Sequence, residues 1–233
     1  MKIVYIMSAI YYIGDSTVQF NKIDTYPQTG MSQVLSLFTA EGVTVHPHGK
    51  NGRSTKSFLE EGRFEPVRDG LSEGDFLLIQ FGHNDEKIQD PSRYTEAFGS
   101  YQENLRYFIT EARRKGAYPV LITPIARRLF DENGVFRPGS HGDYPEAVRQ
   151  LGAREHVPVA DLTSVTEQYL AELGDEASRP LFVWPVDNTH LKPEGAIQMV
   201  SFLAQQLEQM GKPYSALLYR ADTEEPTIND EVF

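Results

Sequence analysis

The chain has 233 residues, 40% of them hydrophobic and 24% charged, which suffices for one α/β domain spanning 1–233. Its net charge of −11 argues against nucleic acid or an anionic membrane as a partner, since both are met by basic patches. There is no cysteine, so a disulfide scaffold, a thiol nucleophile and a Cys-ligated metal are excluded.

Met1 to Ile13 is apolar, and Ile10-Tyr11-Tyr12-Ile13 reads as a buried strand because it is short, β-branched and aromatic. No small-residue cleavage site follows it, so the expected location is cytoplasmic. No apolar run approaches the ~18 residues of a membrane span. Gly14 breaks the strand, and Asp15-Ser16-Thr17 follows at what becomes the rim of a sheet. Residues 17–30 are polar and irregular. Met31 to Glu41 spaces Val34, Leu35, Leu37 and Phe38 on one side, which predicts a helix closed by Gly42. Val43 to His46 alternates as a second strand, and His48 to Gly52 forms a loop. Ser54 caps a helix running to about Glu61.

Phe76 to Phe81 is a continuous apolar run, the mark of a central parallel strand buried on both faces. Gly82-His83-Asn84-Asp85 leaves it directly. Tyr94 to Lys115 is the longest helical pattern, with Phe98, Tyr101, Leu105, Phe108, Ile109 and Ala112 repeating at three and four. A strand at Pro119–Thr123, a long loop at 124–143, a helix at Tyr144–Glu155 and a strand at Val157–Ala160 come next. Leu162 to Leu173 is helical, 174–193 is irregular, and a last helix runs from Glu194 to about Gly211. The acidic tail from Asp222 reads as frayed. About five alternations of strand and helix imply one parallel sheet with helices on both faces.

The loops after the first three strands carry Ser16, Gly52 and Asn84, and parallel strands bring such loops to one edge. A fourth loop carries Asp187-Asn188-Thr189-His190. Asp and His three apart can face the same way, so the carboxylate holds one ring nitrogen and leaves the other free to take a proton. Ser16, His190 and Asp187 can therefore form an acyl-transfer triad by geometry rather than chain order. The backbone N–H groups of Ser16 and Gly52, with the Asn84 amide, are the candidate oxyanion donors, each worth about 3 kcal/mol of transition-state stabilisation. The competing readings are a plain turn capped by Asp15 or Ser16, a surface Asp187 cap beside a solvated His190, and a turn at Asn84.

These four stretches resemble the sequence blocks of the SGNH (GDSL-like) hydrolase superfamily. Gly14-Asp15-Ser16 is similar to its nucleophile block, Gly52 stands at its oxyanion glycine, Gly82-His83-Asn84-Asp85 is similar to its Gly-x-Asn-Asp block, and Asp187-x-x-His190 to its last block. The longer strings GDSTVQ, GRSTKSFLEEGRF, QFGHNDEK and DNTHLKPEGA resemble the rhamnogalacturonan acetylesterase family more narrowly. The resemblance runs from about Ile10 to Met210. It implies a flavodoxin-like three-layer α/β/α sandwich with a five-stranded parallel sheet, and ester hydrolysis without metal or other cofactor. It also implies an acetylated pectic oligosaccharide as substrate.

Around these blocks, His83 either lines the pocket, orients the Asn84 loop or packs as a core histidine. Asp85 braces its loop. Arg53 and Lys56 stand where they could attract a uronate carboxylate, or face solvent. Tyr144, after His141-Gly142-Asp143, and the single tryptophan, Trp184, could offer surface for stacking sugar, although aromatics more often lie in a core. His46-x-His48 has no acidic or Cys companions for a metal. The expected activity is a serine carbohydrate esterase releasing acetate. The alternatives are a lipase- or thioesterase-like member of the superfamily, which needs an apolar groove, and a non-catalytic sugar-binding module. The oligomeric state is left open.

Overall fold

The computed structural model describes residues 8–219. The expected start of the first strand at Met1 and the tail from Asp222 lie outside the described residues. Five strands form the sheet: β1 (Ala9–Gly14), β2 (Thr44–Pro47), β3 (Phe76–Gln80), β4 (Tyr118–Ile122) and β5 (Val159–Ala160). They are all parallel, in the order β2-β1-β3-β4-β5. The connecting helices are α1 (Met31–Val34), α2 (Thr55–Glu60), α3 (Glu65–Gly70), α4 (Gln102–Arg114), α5 (Tyr144–Glu155), α6 (Leu162–Leu173), α7 (Asp175–Ser178) and α8 (Pro193–Gln209).

The unbroken apolar strands follow from burial on both faces. Successive side chains point to opposite sides of a strand. Ile10, Tyr12, Phe76, Leu78, Val120 and Ile122 pack with Met31 of α1, Leu162 of α6 and Met199 and Leu203 of α8. Their neighbours Tyr11, Ile13, Leu77, Ile79 and Leu121 pack with Phe58 of α2, Val67 of α3, Phe108 of α4 and Leu151 of α5. The result is the expected three-layer α/β/α arrangement. The strand order reverses between β1 and β3, and in open α/β sheets the crevice at such a point is where ligands bind. Among the described residues no helix is long and apolar enough to cross a membrane.

Three elements differ from their predicted form. The helix expected over 31–41 is α-helical only to Val34 and continues as a 3-10 turn at Leu35–Leu37. Leu37 is 67% exposed, so one residue of the counted stripe never faces the core. The long helix begins at Gln102 rather than Tyr94, because Ala97–Tyr101 forms a wider turn around Gly99, whose backbone is not helical, and Phe98 points outward. The stretch after residue 174 holds the short α7 and a 3-10 turn at Arg179–Leu181 instead of being wholly irregular.

Candidate active site

β1 ends at Gly14, opposite Gln80 at the end of β3. A Cβ on Gly14 would stand 2.5 Å from the Gln80 carbonyl oxygen and 2.6 Å from Val18 Cγ2, so only glycine lets the chain turn here. Asp15 then shapes the turn. Its Oδ1 accepts the Thr17 N–H and hydroxyl, both at 2.9 Å, and its carbonyl accepts from the amides of Val18 and Gln19. Asp15 is thus the turn cap, and Ser16 is left at the turn, 8% exposed. Burial raises the Asp15 carboxyl above its usual range, against the Thr17 hydrogen bonds and the nearby His141 and His190.

The loop after β2 is clipped to this turn. The Lys50 amide donates to the Gly14 carbonyl at 2.9 Å, and the Asn51 amide to Gln19 Oε1 at 2.6 Å. The next residue, Gly52, has φ +75°, a conformation that L side chains rarely adopt. Among the described residues, neither the Ser16 nor the Gly52 N–H has a protein acceptor. Asn84 is held from both ends of its amide: Nδ2 donates to the Arg53 carbonyl at 3.1 Å, and Oδ1 accepts from Arg93 Nη1 at 3.3 Å. That fixes which end is nitrogen and leaves one N–H of Nδ2 uncommitted.

Asp85, next along the chain, is fully buried and braces three segments, as its sequence position suggested. Its Oδ1 accepts the Thr55 amide at 3.0 Å, the Thr55 hydroxyl at 2.5 Å and the Thr95 hydroxyl at 2.8 Å. Burial pushes its carboxyl up to about 7, against the pull of these hydrogen bonds.

The fourth segment is a closed loop. Val183 N–H donates to the His190 carbonyl at 2.9 Å, and Asp187 N–H to the Val183 carbonyl at 3.0 Å. Asp187 Oδ1 accepts the amides of Thr189 at 2.6 Å and His190 at 2.7 Å, while Oδ2 lies 2.8 Å from His190 Nδ1. Partial burial opposes the Asp187 charge, yet the amides of His190 and Thr189 and the His190 ring outweigh it and hold the carboxyl below its usual range. An ionised carboxylate only accepts, so Nδ1 donates to it and Nε2 is the ring nitrogen left for proton transfer.

Ser16, Gly52, Asn84, Asp187 and His190 line one cavity of about 400 Å³, and His83 lines it too. Among the described residues no hydrogen bond joins the Ser16 hydroxyl to His190. The other sequence candidates do not line this cavity. Arg53 Nε sits 3.0 Å from both Glu61 oxygens and its Nη1 donates to the Asn51 carbonyl at 2.9 Å, so its backbone positions Asn84 while its charge is turned to Glu61. Lys56 donates to the Pro91 carbonyl at 2.7 Å. Tyr144 is buried, its hydroxyl donating to the carbonyls of Asp85 and Thr95, so it supports the Asp85 loop instead of stacking on sugar. Trp184 is 39% exposed outside this cavity, with the guanidinium groups of Arg128 at 4.4 Å and Arg179 at 5.7 Å from its ring. His46 and His48 both stack on the Tyr11 ring. Among the described residues no group of three His, Asp or Glu is placed to hold a metal ion.

Sequence reasoning missed Gln28, Asn51, Lys87, Arg93, Arg127 and Thr189, which complete the cavity wall. Lys87 and Arg93 lie within ten residues of Asn84, and that proximity was the available signal. Arg127 comes from the loop after β4, and nothing in its sequence surroundings marks it.

Fold and family together make this an α/β carboxylic ester hydrolase. The chain belongs to the GDSL-like lipase/acylhydrolase family, which matches residues 12–196. It is 39% identical over 216 residues to rhamnogalacturonan acetylesterase RhgT of Bacillus subtilis, covering 88% of this chain and 91% of that protein. It is 38% identical over 207 residues to the probable rhamnogalacturonan acetylesterase YesY of the same organism, covering 88% and 94%. The fold matches the crystal structure of Bacillus subtilis YxiM with a TM-score of 0.78 at 24% identity, over 88% of this chain and 57% of that one. It matches Axe2, an acetylxylan esterase from Geobacillus stearothermophilus, with a TM-score of 0.64 at 17% identity, over 89% and 95%.

Proposed function

We propose that the chain is a serine carbohydrate esterase that removes acetyl groups from pectic, rhamnogalacturonan-type oligosaccharides. The observation that carries this reading is the cavity in which Ser16 and the Asp187-held His190 meet three uncommitted N–H donors. The two Bacillus relatives named for rhamnogalacturonan support the substrate class. In this reading Ser16 Oγ attacks the acetyl carbonyl carbon and His190 Nε2 takes the hydroxyl proton. The N–H groups of Ser16, Gly52 and Asn84 receive the oxyanion. On collapse the proton passes from His190 to the departing sugar oxygen, leaving an acetyl-Ser16 ester. Water, deprotonated by the same ring, then releases acetate and restores Ser16. The Ser16–His190 hydrogen bond forms once substrate fills the cavity, as happens when apo contacts tighten in a substrate complex.

Ser16→Ala is expected to lower acetate release by at least about a thousandfold with unchanged thermal unfolding. Turnover at the wild-type rate would overturn the mechanism. A panel of acetylated pectic, xylan and chitin fragments tests the substrate, with the highest kcat/KM expected on the pectic members. Nitrophenyl esters of rising acyl length test the lipase-like alternative, and preference for long chains would favour it. The polar wall formed by Asn51, Lys87 and Arg93 argues for short acyl groups.

A further inference from the structure

Three cationic side chains, Lys87, Arg93 and Arg127, line the cavity. Two are already matched to anions. Arg93 pairs with Asp90 through Nη2 at 2.5 Å and gives Nη1 to Asn84. Arg127 pairs with Glu86 and gives Nη1 to the Ser140 carbonyl at 2.9 Å. Lys87 differs from both. It is half-buried, and among the described residues its ammonium has neither a hydrogen bond nor an ion pair.

A lysine with a four-carbon stem ordinarily carries its charge out to water. Holding an unmatched ammonium at a cavity wall costs solvation that the fold does not return. Burial first, then the nearby Arg93 and Arg127, lower the Lys87 pKa, against Glu86 and Asp15.

A second group on the same wall lacks partners. His83 is 4% exposed, and neither ring nitrogen has a hydrogen bond. Its ring meets the ring of His141 edge-on at 4.4 Å. Burial and the surrounding cations keep it neutral, and both ring nitrogens are closed off from solvent, so it lines the wall without offering a donor. A half-buried cation without a partner on the wall of a polar cavity suits a substrate that brings a carboxylate flanked by hydroxyls. The Arg53 guanidinium, which the sequence suggested for this task, is bound to Glu61 outside the cavity.

We propose that Lys87 binds the carboxylate of a galacturonate-type unit and so sets a preference for acidic over neutral acetylated sugars. The proposal rests on the reading of the cavity as a carbohydrate acetylesterase site and names the part of the substrate that the cavity selects.

The test compares an acetylated galacturonate oligosaccharide as free acid with the same compound as its methyl ester. Wild type is expected to favour the acid by about tenfold in kcat/KM, the size of a charged hydrogen bond. Lys87→Met is expected to abolish that preference, and Lys87→Arg to keep most of it. Equal rates on acid and ester in wild type, or a preference that survives in Lys87→Met, would overturn the proposal. Titration calorimetry of both compounds against Ser16→Ala protein reads the same ratio without hydrolysis. If neither compound is cleaved by wild type yet the acid binds about tenfold more tightly, the esterase reading fails and the carboxylate site stands.

Discussion

Asp85 touches no part of the cavity, yet it fixes how the cavity is built. Its one carboxylate oxygen gathers Thr55 at the start of α2 and Thr95 on the way to α4. The neighbouring Asn84 side chain is thereby held at the cavity wall. With its pKa pushed to about 7, Asp85 binds a proton in the folded chain that the unfolded chain has already released. Its contribution to stability is complete below about pH 4, shrinks as pH rises, and is gone above about pH 7. Asp85→Asn carries no charge at any pH and keeps an oxygen for the two threonines. Its stability relative to wild type is therefore expected to improve between about pH 5 and 8, read by urea unfolding at both. A difference that is flat or falls with pH would contradict this. At this scale the sequence was most informative where chemistry demands one residue type. Ser16, Gly52, Asn84, Asp187 and His190 all converge on the cavity. It was least informative for Tyr144 and Arg53: the Tyr144 hydroxyl is taken by Thr95, 49 residues away, and the Arg53 guanidinium by Glu61 one short helix further on, a pairing that spacing alone does not reveal.

The elements divide along the same line. Helices α5 and α6 occupy their predicted spans because the apolar spacing and the end signals agree. The Tyr94 pattern overran its helix because Gly99 breaks the backbone where the period continues. The loop joining α7 to α8 depends on a residue that no local pattern reveals. Arg128 is 2% exposed, and its Nε donates to Ser178 Oγ at 2.9 Å. It pairs with Asp175 and lies over Trp184, and its backbone N–H donates to the Asn188 carbonyl at 2.8 Å. It ties the loop after β4 to the segment that carries Asp187 and His190. Arg128→Met retains the backbone link but loses the rest. It is expected to cost about 2–3 kcal/mol in urea unfolding and to lower kcat more than it changes KM. Lost stability with kcat unchanged would show that the His190 segment does not need this anchor.

At the scale of the whole molecule, one sheet separates two cores, and adjacent residues of β3 belong to different ones. Leu77 and Leu78 are both fully buried, the first among α2 to α5 and the second among α1, α6 and α8. Leu77→Ala and Leu78→Ala are each expected to lose about 2–5 kcal/mol, with a single unfolding transition in both, since neither layer has another surface to cover it. A two-step curve in either variant would show that the layers unfold separately. The order of alternating strands and helices made this architecture legible, because a parallel sheet leaves few other ways to connect them. The meeting of the loops after β1, β2 and β3 at one edge was legible too, whereas composition and spacing do not give the strand order, which is decided by contacts across the sheet.

The stacking of Arg128 on Trp184 has an optical consequence. Trp184 is the single indole of the chain and stands in the segment that ends at His190, against a cation at 4.4 Å. A ligand whose binding displaces the segment is expected to separate ring and cation and so change the colour and yield of the emission. Such a change would be read from a single indole, with no dye to attach and no background indole to subtract.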